Sequence, residues 1–382
     1  MKKISPAIAL VGLAALVAYV LACRPAFSPD GRQVLLPVVE PDSGTITIVR
    51  HELGSRTALP LVALPSWEQG DDLPPMAMVR WLPDGQEALV AWAIDEDGPL
   101  WLMRLPVGHQ RTPTRLFTIR EFEGGYLSLI SPPPIQGHHV FLGGEKIVRL
   151  DLDTGAQFEK GFTNGVVLEE QGDHIYYLRE HPSAENQVEI GWLNPETLDL
   201  DPHWSFVRPE ELDSCMFFAV SRDELRLASA AYNEDGQCRL WLFAGHDSVR
   251  TLDLGTTNQP LVLGNLIWSP DNRSLLAAAF RPAAIGSDTT EVCLFELDLE
   301  RDAQRFTPVF RMEDSDKEST STAMFQVALS PDGRWAAISN GLLHGDKDPQ
   351  PSRRLFLVNL SRSNRPVTIL PLEGRVQPPR SG

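Results

Sequence analysis

The residues of this sequence that could do chemistry are scattered, and their spacing argues against most familiar constellations. His138-His139 is the one adjacent histidine pair, but neighbours on a strand point to opposite faces and cannot share one metal ion. An exposed turn is expected there. Asp95-Glu96-Asp97-Gly98 and Glu313-Asp314-Ser315-Asp316 gather carboxylates of the kind hard cations favour. Neither has the alternating acidic loop with a distal Glu that calcium sites use, and both fall between candidate strands, so solvated turns are expected. No Gly-x-Ser-x-Gly elbow, phosphate-cradling glycine loop or His-Glu-x-x-His pair occurs. Cys215, Cys238 and Cys293 sit in apolar runs without metal-ligand spacing. They read as small buried hydrophobes, with a Cys215–Cys238 disulfide as the alternative in an oxidising compartment. The sequence therefore assigns no catalytic residue, no metal ligand and no cofactor.

What would position a site is a repeated turn. Ser28-Pro29-Asp30-Gly31, Leu82-Pro83-Asp84-Gly85, Ser269-Pro270-Asp271-Asn272 and Ser330-Pro331-Asp332-Gly333 are each flanked by apolar runs. Proline presets φ for a type I turn, aspartate bonds back to the local backbone, and glycine accepts the positive φ that follows. Asn272 replaces glycine with the next most tolerant residue, which reads as a demand for positive φ and nothing more. Degenerate copies fall at Ser131 to Gly137, at Gln171-Gly172-Asp173 and at Ser221-Arg222-Asp223-Glu224. Successive corners are roughly 40 to 60 residues apart, a propeller-blade period.

Each interval repeats one order: corner, strand, polar turn, third strand, variable fourth strand. Third strands such as Leu355 to Leu360 are apolar on both faces, with Leu355 and Leu357 on one side and Phe356 and Val358 on the other. A sheet packed between two neighbouring sheets needs that pattern. Trp81, Trp268 and Trp335 stand beside corners, where inter-blade packing is expected. The fold class is all-β: a single β-propeller of seven four-stranded blades spanning residues 23–370, with six or eight blades as the alternative because the fourth and fifth units are least regular. Residues 371–382, rich in Pro, Arg, Ser and Gly, read as a disordered tail.

The Ser-Pro-Asp-Gly-Arg corner, the apolar strand after it and third strands ending in Leu150-Asp151-Leu152 or Leu297-Asp298-Leu299 resemble the WD40-like repeat of TolB-type propellers. The resemblance is sharp at residues 27–36, 80–90, 267–280 and 327–339. It implies a fold and no activity, since such repeats occur in transport-associated, signalling and peptidase-associated proteins. Founding members carry a further N-terminal domain, for which the first corner leaves no room here. Asp151-Leu152-Asp153-Thr154-Gly155 is similar to a turn of quinoprotein propellers, but lacks their Trp-rich docking positions and reads as a hairpin turn.

Lys2 and Lys3 precede an apolar run from Ala7 to Ala22, the charged and hydrophobic regions of an export signal. The run closes on Val20-Leu21-Ala22-Cys23, which resembles a bacterial lipobox, making residues 1–22 a signal peptide and Cys23 a lipid anchor; an uncleaved N-terminal helix is the alternative. The formal net charge of −17 and the lack of a basic, aromatic-interleaved patch disfavour nucleic acid. Anionic lipid would repel the same surface, leaving the N-terminus as the membrane contact. The expectation is a non-catalytic, exported, membrane-anchored propeller that binds a protein or peptide in a bacterial envelope. Its contacts are expected near the insertions at Arg281 to Glu291, Met312 to Ala323 and Leu343 to Arg353. The alternative is a propeller hydrolase or lyase for a carbohydrate or small ester, with His, Asp and Glu from several blades meeting at the axis.

Overall fold

The computed structural model describes residues 24–39, 45–55, 57–64, 76–93, 99–108, 115–119, 133–144, 146–162, 165–171, 173–180, 187–207, 214–232, 237–244, 248–256, 260–283, 289–313, 325–340 and 354–371. Residues 1–23 with Cys23, the tail beyond 371, the Asp95-Glu96-Asp97-Gly98 cluster, Asp314 to Asp316 and most of the last two insertions lie outside them. Among the described residues every regular element is a strand, and no helix is long and apolar enough to cross a membrane.

The strands form seven antiparallel sheets of four, each built from consecutive segments. Blade 1 holds β1 (Ala26–Phe27), β2 (Gln33–Val39), β3 (Ile46–Glu52) and β4 (Ala58–Ala63). Blade 2 holds β5 (Met76–Trp81), β6 (Glu87–Ala93), β7 (Leu100–Pro106) and β8 (Arg115–Ile119). Blade 3 holds β9 (Ile135–Gln136), β10 (His139–Gly143), β11 (Lys146–Asp151) and β12 (Gln157–Gly161). Blade 4 holds β13 (Gly165–Gln171), β14 (His174–Glu180), β15 (Gln187–Leu193) and β16 (Leu200–Val207). Blade 5 holds β17 (Ser214–Val220), β18 (Arg226–Tyr232), β19 (Cys238–Ala244) and β20 (Ser248–Gly255). Blade 6 holds β21 (Val262–Trp268), β22 (Ser274–Pro282), β23 (Thr289–Asp298) and β24 (Ala303–Glu313). Blade 7 holds β25 (Phe325–Leu329), β26 (Trp335–Asn340), β27 (Arg354–Asn359) and β28 (Val367–Pro371).

First strands of neighbouring blades touch: β1 meets β5 and β25, and β21 meets β17 and β25. The first strand of each blade therefore lines the axis and the fourth forms the perimeter. Seven blades is the count, and the fourth and fifth units are complete sheets.

The two-sided apolar pattern of the third strands has the predicted cause. Leu355 and Leu357 pack with Val34, Leu36, Val38 and Val49 of blade 1, whereas Phe356 and Val358 pack with Leu276 and Ala278 of blade 6. Full burial of each such side chain contributes about 1.5–3 kcal/mol. The tryptophans beside the corners stitch blades together as expected. Trp81 donates its indole N–H to Ala26 O of blade 1 at 3.0 Å, Trp268 donates to Ala219 O of blade 5 at 2.9 Å, and Trp335 packs on the seam with blade 1.

Two boundaries differ from expectation. The degenerate corner at Ser131 to Gly137 contracts to the turn at Gly137-His138, because Ile135 and Gln136 already pair with Val140 and His139. The segment Arg281 to Glu291 is ladder at both of its ends: β22 runs to Pro282, β23 begins at Thr289, Arg281 lies opposite Glu291, and 284–288 lie outside the described residues. A buried ion pair across the two strands, described below, extends the hairpin past the point where its hydrophobic pattern stops.

Candidate functional site

In a four-stranded antiparallel blade, the turn after the first strand and the turn after the third emerge at one end. The turn after the second strand and the connection to the next blade emerge at the other. The repeated corners all occupy the first end, and their side chains are fully used. In blades 1, 5, 6 and 7 the corner serine donates its hydroxyl to the aspartate two residues on, at 2.6 Å for Ser28, Ser269 and Ser330 and 2.5 Å for Ser221. The same oxygen accepts the backbone N–H five residues on at 2.9 Å, from Gln33, Ser274, Trp335 and Arg226. The serine bond, with the N–H of the arginine after the turn, holds the carboxyls of Asp30, Asp271 and Asp332 below their ordinary pKa. Blade 2 has Leu82 in place of serine and keeps only the bond from Gln86 N–H to Asp84, at 2.9 Å.

The fourth corner position leans on the preceding blade. Gly31 (φ 70°), Gly85 (φ 67°) and Gly333 (φ 67°) face Pro331, Pro29 and Pro270, and a Cβ added at Gly333 would sit 2.7 Å from Pro270 Cγ. Where the preceding corner lacks proline, a side chain fits. Asn272 (φ 59°) follows the corner of Arg222, whose free N–H donates to Asn272 Oδ1 at 2.9 Å. Glu224 (φ 58°) follows the corner of Gly172-Asp173 and meets His174 Nδ1 of blade 4, while Tyr176 donates its hydroxyl to the same carboxylate at 3.0 Å. The position therefore asks for more than positive φ, which corrects the sequence-based reading of Asn272: glycine answers a proline next door, and a side chain answers a free N–H or an imidazole.

Outer turns at this end are clasped across the seams as well. Arg50 donates to Val107 O at 2.5 Å, Arg104 to Asp153 at 2.9 Å, and Arg149 to Pro195 O and Glu196 O at 2.8 and 2.9 Å, each reaching the next blade. Arg250 meets Asp302 and Arg365 meets Glu296 in later seams. His138 and His139 lie here too, each near a different aspartate: His138 Nδ1 is 3.0 Å from Asp153 and His139 Nε2 is 3.6 Å from Asp151. Asp151 accepts the N–H groups of Asp153 and Thr154, so Asp151 to Gly155 is the hairpin turn expected. This end is a structural clamp, and the corner residues Pro29 to Gly31, Pro83 to Gly85, Pro270 to Asn272 and Pro331 to Gly333 belong to it.

At the opposite end two glutamates are buried beneath the rim. Glu189 accepts from Tyr177 OH at 2.8 Å and Arg179 Nε at 2.7 Å. Glu291 accepts from Arg281 at 2.9 Å, Arg311 at 3.2 Å and Cys293 Sγ at 3.4 Å. Burial alone would raise the Glu291 pKa, but these donors outweigh it and hold the carboxyl below its usual range. A carboxylate held ionised by two guanidinium groups suits a structural role and not that of a general acid at neutral pH. Sequence reasoning missed both centres, and the one available signal was an Arg and a Glu ten residues apart across an expected turn.

The inner strands are sparing in ionisable groups. β1, β5, β9, β13, β17, β21 and β25 contain neither His nor Asp; their charged residues are Arg80, Glu169 and Glu170. Among the described residues no group of three or more His, Cys, Asp or Glu is arranged to hold a metal ion. Polar side chains on the inner strands serve packing: Asn265 donates to Val327 O at 2.8 Å and accepts Val327 N–H at 2.7 Å, joining blades 6 and 7. Cys238 and Cys293 are free and buried, with thiols pushed up to about 12 by burial. The Cys215–Cys238 disulfide is therefore not formed.

No family model matches the chain, and no curated protein resembles it in sequence. Among solved structures it is similar to an oligogalacturonate lyase from Vibrio parahaemolyticus, with 11% identity, a TM-score of 0.56, and 91% of this chain and 93% of that one covered. It is also similar to a 6-phosphogluconolactonase candidate from Bacteroides fragilis, with 13% identity, a TM-score of 0.52, and coverage of 89% and 94%. TolB from Acinetobacter baumannii aligns with 12% identity and a TM-score of 0.46 over 90% of this chain, which spans 64% of the TolB chain. At these identities the likeness is one of fold, and the propeller architecture is what the chain shares with them.

Proposed function

We propose that this chain is a non-catalytic, exported β-propeller, held at a bacterial envelope membrane through Cys23, that binds a protein or peptide at the end opposite the clamped corners. The observation that supports this over catalysis is the make-up of the inner strands. An axial active site needs acids, bases or metal ligands from several blades, and these strands offer acidic residues from blade 4 alone and no histidine. The shared fold with a lyase and a lactonase candidate does not carry their chemistry here.

Charge gives the partner its class. Asp71-Asp72, Asp95-Glu96-Asp97, Glu210-Glu211 and Glu234-Asp235 all fall in connections that join strands at the unclamped end. A cationic polypeptide segment fits that end, whereas nucleic acid and anionic lipid do not. The sector of blades 6 and 7, with Met312 to Ala323 and Leu343 to Arg353, is the proposed centre of contact.

The test is crosslinking and co-purification of the tagged full-length chain from its native membranes, beside Cys23→Ala and the charge-reversed Asp314→Lys/Asp316→Lys. The reading expects a salt-sensitive partner lost with charge reversal, and loss of membrane retention and of palmitate incorporation in Cys23→Ala. Turnover of an oligogalacturonide or a sugar lactone by the purified chain would refute the non-catalytic reading.

A further inference from the structure

The seam between blades 1 and 7 differs from the other six. Among the described residues every sheet consists of consecutive strands, with none from the N-terminal region completing blade 7, and the chain bridges each seam except this one. Its inner edge is thin, since β1 has two residues. What holds it is side-chain packing: Val34, Leu36, Val38 and Val49 against Ala337, Leu355, Leu357 and Leu370, with the corner of Gly31 against Pro331.

Into this apolar seam the third strand of blade 1 places a histidine. His51 lies opposite Val34 on β2 and Ala58 on β4, both members of the seam cluster, and therefore faces blade 7. It is 2% exposed, and neither ring nitrogen makes a well-aligned hydrogen bond, the backbone of Thr57 being a polar group close to the ring. Thr47, on the same face of β3, also buries an unpartnered hydroxyl. We infer that the seam between blades 1 and 7 is an acid-sensitive latch, which loosens when His51 takes up a proton and the ring opens there in preference to any bridged seam.

The charged groups around His51 leave the added proton poorly compensated. Blade 7 presents Trp335, Ala337, Leu355, Leu357 and Leu370, none of which titrates. On β2 the nearest charge is Arg32 of the corner, and β4 offers none beside Ala58. At the blade 7 corner Asp332 and Arg334 are occupied with each other at 3.6 Å. Glu52, next along β3, and the backbone of Thr57 favour the charged ring, but burial outweighs them and the His51 pKa is lowered from 6.5. A histidine that is harder to protonate in the closed seam than in water stabilises closure fully above that ordinary value. The contribution is lost as pH falls below it.

The test is hydrogen–deuterium exchange of the full chain at pH 7.5 and 5.5, corrected for intrinsic exchange rates. With an ordinary pKa of 6.5 in the open seam, opening should rise by up to about tenfold at pH 5.5. That rise is expected in peptides covering 33–52 and 335–359, and not in blades 3 to 6. His51→Leu, which suits the apolar seam and cannot titrate, should abolish the selective rise, as should His51→Gln if the first variant folds poorly. His174→Gln, at the bridged seam of blades 4 and 5, should retain it. A uniform response to pH, or a seam-selective rise that survives in both His51 variants, would overturn the inference.

Discussion

Gly333→Ala is the substitution that best isolates how the corners hold one another. Two penalties are combined at this position. A left-handed φ of 67° costs an L-residue about 1–2 kcal/mol. The new Cβ would also stand 2.7 Å from Pro270 Cγ and 3.0 Å from Cδ, atoms of a ring that has no rotamer to retreat into, and such overpacking costs about 1–3 kcal/mol. The expected destabilisation is about 2–5 kcal/mol. Gly137→Ala is the internal control: its φ is 59° and nothing lies within 4 Å of the added Cβ, so only the first cost, about 1–2 kcal/mol, applies. Equilibrium urea unfolding of Gly333→Ala, Pro270→Ala and the double variant forms a mutant cycle, in which removing the ring should return about 1–3 kcal/mol of coupling. Rebuilding the pairing of blades 5 and 6 at this seam, as Pro270→Arg with Gly333→Asn, should lose less than Gly333→Asn alone. Strict additivity of Gly333→Ala and Pro270→Ala, or equal costs at Gly333 and Gly137, would refute the idea that proline in one corner dictates glycine in the next.

Three further outcomes are expected. Ser330→Ala removes a buried hydroxyl that bonds Asp332 and Trp335 N–H, and should cost about 1–2 kcal/mol. Because the bond depresses the Asp332 pKa, its stabilisation is present above the ordinary 3.8 and lost as pH falls below it; the variant should show a shallower decline of urea midpoint on the acid side. Arg365→Ala strips a half-buried Glu296 of its partner across the seam of blades 6 and 7 and should cost about 2 kcal/mol by the same assay, whereas Arg273→Ala, from an exposed pair with Glu300 at 3.5 Å, should cost at most about 0.5 kcal/mol. Cys238 and Cys293 should resist iodoacetamide at pH 8 in the folded chain and react after unfolding in urea, as read by peptide mass mapping; labelling in native conditions would contradict their burial.

The corners were legible because a turn is a contract among four consecutive residues, and Ser28 to Gly31 states its dihedral angles in its side chains. Likewise the alternation Leu355, Phe356, Leu357, Val358 announces a strand buried on both faces without naming the neighbours. The extent of blade 6 was not legible. Arg281 to Glu291 carries no hydrophobic alternation, and the strand character of its two ends accompanies ion pairs that exist only once β22, β23 and β24 lie side by side.

By itself, then, the sequence determined an all-β chain of repeated corners, the period of its blades and the burial of both faces of each sheet, all properties set within a few residues. The tertiary structure decided which corner residue could be glycine, asparagine or glutamate, because that choice answers to a residue in the preceding blade of the ring, fifty positions away for Asn272 and Glu224 and at the far end of the chain for Gly31. It decided that Glu189 and Glu291 are held by arginines. It also placed His51 in the one seam the chain does not bridge. Contacts between blades arise from closing the ring, and a linear sequence records each partner without recording which partner it will meet.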